Sequence, residues 1–184
     1  MNLYYTKTVL YAYPNIEAVM EQIDELVERR ALLSMNDFTP CIDQCKKILD
    51  FTAQKDTLIN LKLMVEKVME KLTENQIDCL EYKYFKRKSK EYFKDFDFTS
   101  RCYFRRQITL INKLKIAFDR VGLTDEWFEE NCLRMDFFSE LLRRVKIYEE
   151  QSKKNKPKLK VNKVAVKDNN YIDFSKIEYD ADIA

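Results

Sequence analysis

The 184-residue chain contains no histidine, a single glycine, Gly122, and three prolines, Pro14, Pro40 and Pro157. Without histidine there is no histidine-based triad, no histidine zinc ligand and no side chain of the usual kind for acid-base work near neutral pH, so an enzyme is not expected. A lone glycine excludes the phosphate-cradling loops that need several, the P-loop, dinucleotide and kinase patterns alike. It also leaves little material for hairpin turns, which argues against all-β and doubly wound folds. No apolar run approaches the roughly 18 residues of a membrane span, and no secretory leader is read at residues 1–10. The five cysteines, Cys41, Cys45, Cys79, Cys102 and Cys132, are odd in number and scattered among helix formers. They read as thiols of a reduced, cytoplasmic protein, with no cofactor and no membrane partner expected.

What the chain does contain is charge and apolar periodicity. Charged residues reach 35% beside 46% hydrophobic ones, against about 25% charged in an average soluble protein. The net charge of +2 is unevenly spread: residues 81–115 hold 11 Lys/Arg against 4 Asp/Glu, a balance of +7, and both flanking segments, 1–80 and 116–152, stand at −4. An internal basic block suits a phosphate-binding surface; the alternative is a solvated helix face that is merely basic.

Helical periodicity predicts an all-α fold. Pro14-Asn15 opens an amphipathic helix whose stripe runs through Ile16, Val19, Met20, Ile23, Leu26, Val27 and Ala31. The preceding residues 3–12 read as a short helix or an extended piece, with helix preferred. Thr39-Pro40 starts either one long helix over 40–71 or two with a hinge at 54–56, packed on the first as a hairpin or three-helix layer. Thr73 and Gln76 form a capping box ahead of Ile77, Leu80 and Tyr84. Ser89 caps a short helix, a longer one runs from Thr99 or Ser100 to Val121, and Gly122 stops it. Thr124 or Asp125 caps a C-terminal helix with an apolar face from Trp127 to Tyr148. The expected regions are an N-terminal helical layer at 1–71, a helix-turn-helix at 72–121, a helical extension at 122–152, and a disordered lysine-rich tail at 153–184 with at most a short strand at 164–166.

The segment 72–121 has helix-turn-helix arithmetic, and its last helix opens Thr99-Ser100-Arg101-Cys102-Tyr103-Phe104-Arg105-Arg106-Gln107-Ile108. Its spacing lets Arg101, Arg105 and either Arg106 or Gln107 face outwards while Phe104, Ile108 and Ile111 face partner helices. Donors then sit where recognition helices read base edges.

The run Leu72-Thr73-Glu74-Asn75-Gln76-Ile77-Asp78-Cys79-Leu80-Glu81-Tyr82-Lys83-Tyr84-Phe85 resembles the opening of the fourth region of bacterial sigma factors. Residues 89–96 are similar to that family's short scaffold helix, and 99–108 to its recognition helix. The turn carries Asp95-Phe96-Asp97-Phe98 where the family usually has a small residue, and no equivalent of the second sigma region is present. The likeness is therefore to small sigma-like and phage late-gene regulators of Gram-positive bacteria, including the ArpU-like group. It implies a DNA-binding transcription regulator in which Arg101, Tyr103, Arg105 and Arg106 touch duplex DNA and Leu80, Tyr84, Phe93 and Ile108 hold the core. Lys88, Lys90, Ser100 and Gln107 complete the candidate DNA contacts, and RNA polymerase is a candidate second partner.

Other readings are open at this level. A helical interaction module could instead meet an acidic protein. The aromatics Tyr82, Tyr84, Phe85, Tyr92, Phe93, Phe96 and Phe98 interleave with lysines, as in single-strand binders, or serve as core. Cys41 and Cys45 lie four apart but lack further ligands, so no metal is expected.

Overall fold

The computed structural model describes residues 1–33, 41–85 and 100–154, and among them the chain is all-α. The elements are α1 (Leu3–Ala12), a 3-10 turn (Tyr13–Asn15), α2 (Ile16–Leu33), α3 (Cys41–Met69), α4 (Glu74–Leu80), a π-turn (Glu81–Phe85), α5 (Ser100–Arg120), α6 (Asp125–Asn131) and α7 (Asp136–Lys154). Ser89, Phe93, residues 95–98 and the proposed strand at 164–166 lie outside the described residues.

Residues 3–12 are helical, and they are central. Asn2 caps α1 by accepting from the Tyr4 amide at 3.0 Å. Val9, Leu10 and Ala12 are wholly buried, because α1 packs against α5 and α7. The buried hydroxyls of Thr6 and Thr8 donate back to the Asn2 and Tyr4 carbonyls at 2.9 and 2.8 Å, so their burial leaves no polar atom unpaired.

The 3-10 turn places Pro14 where its missing amide costs nothing, and the chain passes directly into α2. α3 is one unbroken helix of 29 residues, about 44 Å long at 1.5 Å per residue. It runs antiparallel to α2, since Lys62 pairs with Glu17 and Lys55 with Asp24, each at 2.6 Å. Ile16 and Ile23 of α2, with Leu58, Leu61, Val65 and Val68 of α3, enter the core.

Gln76 Oε1 accepts from the Thr73 amide at 3.1 Å, as the capping-box spacing requires. α5 ends in a Schellman motif: Leu123 N–H donates to the Phe118 carbonyl at 3.0 Å and Gly122 N–H to the Asp119 carbonyl at 3.2 Å. Gly122 takes φ +90° there, and Phe118 and Leu123 are both buried.

One C-terminal helix was expected; there are two. Thr124 caps α6 by accepting from the Trp127 amide at 3.2 Å, and the chain turns at 132–135 before α7. In a straight helix residues 128 and 138 would stand about 15 Å apart. The turn instead brings the Phe128 and Phe138 rings edge to face at 5.8 Å, with Tyr5 of α1 stacked on Phe128 at 4.9 Å. Burying both rings at one corner is what a straight helix could not do. α7 also continues through Lys153 and Lys154, two residues into the expected tail, and 155–184 lie outside the described residues.

Candidate nucleic-acid interface

The orientation of α5 decides which side chains a partner can meet. Its buried stripe is Tyr103, Gln107, Leu110, Ile111, Leu114 and Phe118. Phe104 is 52% exposed and Ile108 65% exposed, so the helix is turned by about one residue from the sequence expectation. The reason lies further along the helix. The 104–108–111 stripe runs into Lys115, whereas the 103–107–110 stripe continues to Leu114 and Phe118, which fill the core. Ile108 therefore does not hold the core, while Leu80 and Tyr84 do.

Two expected DNA contacts are withdrawn by this rotation. Tyr103 is 1% exposed and Gln107 is 4% exposed. Gln107 Nε2 donates to the Tyr103 hydroxyl at 3.0 Å, that hydroxyl donates to the Cys79 carbonyl at 3.4 Å, and Lys83 Nζ donates to Gln107 Oε1 at 3.4 Å. Tyr82 meets the Tyr103 ring edge at 5.3 Å. The chain of bonds satisfies the polar atoms inside the protein, so neither side chain is offered to a duplex.

The same rotation exposes Arg105 and Arg106. They open onto a cleft of about 370 Å³ between α4 and α5, lined also by Thr73 and Gln76 from the start of α4 and by Thr109 and Lys113 from α5. Arg105, Thr109 and Lys113 repeat every four residues and so form one flank of the helix. Its lining holds three cations and no carboxylate. Cys79 forms the floor; burial pushes its thiol up, against the opposing pull of the Arg106 guanidinium.

Of the remaining expected contacts, Ser100 and Arg101 belong to the first turn of α5, and Lys88 and Lys90 lie outside the described residues. Sequence reasoning missed Thr73, Gln76, Thr109 and Lys113 as cleft residues. The four-residue spacing from Arg105 could have pointed to Thr109 and Lys113. Nothing local points to the α4 residues, because only packing brings them opposite.

Among the described residues no group of three His, Cys, Asp or Glu side chains is placed to hold a metal, and no helix is long and apolar enough to cross a membrane. Cys41 and Cys45 are exposed, and their mutual hydrogen bond pushes the Cys45 thiol up. Comparison with protein-family models, curated proteins and solved structures returns no match.

Proposed function

We propose that the chain is a DNA-binding transcription regulator that sets the first turns of α5 in the major groove of duplex DNA. The observation that carries this reading is the cleft whose lining includes Arg105, Arg106 and Lys113 and no carboxylate. Guanidinium forks suit phosphate and guanine edges, and the Thr73 hydroxyl and Gln76 amide add neutral donors. The basic block at 81–115 supplies the long-range attraction. The likeness of 72–121 to the promoter-reading region of sigma factors agrees with this use of α5 and makes RNA polymerase a second partner to test.

A second reading rests on Phe104 and Ile108, exposed at 52% and 65% on the same helix. Apolar side chains interleaved with arginine suit a protein partner with an acidic rim better than they suit a phosphate backbone. Fluorescence anisotropy of the full chain with random duplex DNA over a salt series separates the two. The DNA reading expects binding at low salt that falls steeply as salt rises. Absence of binding at low salt overturns it in favour of the protein-interaction module.

A further inference from the structure

A second cavity, of about 210 Å³, lies where α1, the π-turn, α5 and α7 meet, and shares no lining residue with the basic cleft. Its polar wall is Lys7, Lys83, Tyr84, Gln107, Asn112 and Glu149, and aliphatic side chains of α1 and α5 close the rest. At ~30 Å³ per water, that volume equals roughly seven waters, enough for a small organic ion.

The charges in this wall do not balance. Lys7 Nζ meets Glu149 Oε1 at 2.5 Å, with the two side chains only 11% and 19% exposed. That pair is neutral by itself. Lys83 is a further cation; it donates a long 3.4 Å hydrogen bond to Gln107 Oε1 and lies 5.4 Å from the centre of the Tyr84 ring, neither of them an anion. Burial pulls the Lys83 ammonium down, with Lys7 adding to the effect and Glu149 opposing it. The cavity thus holds one positive charge in excess. Beside it, Tyr84 is 2% exposed and its hydroxyl has no hydrogen-bond partner. A buried hydroxyl with no partner is costly, and the partly buried Lys83 ammonium beside it has only neutral groups as its close contacts. Water could hydrate both groups, but only an anion balances the charge.

We propose that this cavity binds a small molecule carrying an oxyanionic group, carboxylate or phosphate, which accepts from Lys83 Nζ and the Tyr84 hydroxyl and neutralises the excess charge. Asn112, at the rim, is a third donor. A charged hydrogen bond to Lys83 orients the anion, and the aliphatic side chains accommodate a short carbon chain. The site stands on its own geometry and does not depend on DNA binding.

The test is thermal melting of the full chain with acetate or inorganic phosphate, ionic strength being held constant with chloride. A saturable rise in Tm is expected with at least one of the two probes, and the responding probe identifies the oxyanion class. Lys83→Met and Tyr84→Phe, each confirmed folded by circular dichroism, should raise the half-saturating concentration about tenfold or more. Lys46→Ala, which removes an exposed lysine of α3 outside this cavity, should leave it unchanged. Three results would overturn the proposal: no response beyond chloride with either probe, equal responses in wild type and both cavity variants, or loss of the response in Lys46→Ala. Should Lys83→Met fail to fold, Tyr84→Phe decides alone, because it removes only the hydroxyl.

Discussion

Gln107 Nε2 donates to the Tyr103 hydroxyl at 3.0 Å, one turn back along α5, and both side chains are buried. Tyr103→Phe removes the acceptor and leaves a buried amide hydrogen unpaired, at a cost of about 1–3 kcal/mol. Gln107→Leu removes the donor and also deprives Lys83 of its acceptor. The double variant should cost less than the two single costs together, with a coupling of about 0.5–3 kcal/mol. A double-mutant cycle by urea denaturation measures it; strict additivity would mean that the two groups do not act as a pair.

The cleft predicts substitutions that differ in kind. Arg105 lies near the start of α5, where a guanidinium can read guanine, so Arg105→Ala should flatten sequence preference by about 1–3 kcal/mol. Lys113 lies two turns further on, where under the proposed DNA reading it would meet only phosphate. Lys113→Ala should weaken all sequences together and lower the salt slope by about one. Competition assays with specific and random duplexes separate these outcomes; equal weakening by both variants would make α5 a basic face without sequence reading.

Gly122 takes φ +90°, and a Cβ placed there would touch nothing within 4 Å. The cost of Gly122→Ala is therefore backbone strain alone, about 1–2 kcal/mol. Gly122→Asn should cost less, because asparagine tolerates that region better. Urea midpoints that rank Gly, then Asn, then Ala are the expected result.

Phe128 is buried at the α6–α7 corner between Tyr5 and Phe138. Phe128→Ala should destabilise the protein by about 3–5 kcal/mol, since two ring partners and the corner itself lose their filler. Trp127 fluorescence during denaturation reports it locally, and a loss below 1 kcal/mol would mean that the corner can collapse onto the gap.

Alkaline pH should unfold the chain. The hydrogen bond to Glu129, at 2.6 Å, pushes the Tyr5 hydroxyl from 10.0 up to about 12, and burial pushes the Cys132 thiol from 9.0 up to about 12. Burial also pushes Tyr84 and Tyr103 up strongly. Each group keeps its proton longer folded than unfolded, so above pH 9 for Cys132 and pH 10 for the tyrosines the unfolded chain binds fewer protons. Their stabilising contribution is complete below those values and is lost as pH rises towards about 12 for Tyr5 and Cys132. Tyrosinate absorbance should rise together with loss of helical circular dichroism; ionisation of all eleven tyrosines without unfolding would contradict the burial.

The signals that could be read from the chain alone are those that act within a few residues. Asparagine, threonine and the capping box start helices because a side chain satisfies amides two or three positions on, and Gly122 ends α5 because the Schellman turn needs a positive φ. The absence of histidine and the scarcity of glycine likewise bound the chemistry and the fold class without any tertiary knowledge, and the basic block at 81–115 is plain in the order of residues. Of the candidate site, this made Arg105 and Arg106 legible but not their neighbours.

Which way each helix faces depended on partners distant in sequence. Tyr103 and Gln107 look like surface donors in a linear reading, and they are buried because the Cys79 carbonyl and Lys83, 24 residues away, satisfy their polar atoms. The cleft exists only because α4 packs across Arg105 and Lys113, and the second cavity only because α1 brings Lys7 beside α7 and the π-turn. The α6–α7 corner follows the same rule: the apolar period is continuous through it, and only the packing of the buried Phe128 and Phe138 rings, with Tyr5 stacked on Phe128, determines where the helix must break. Local hydrogen bonding set the elements, and long-range packing chose their faces.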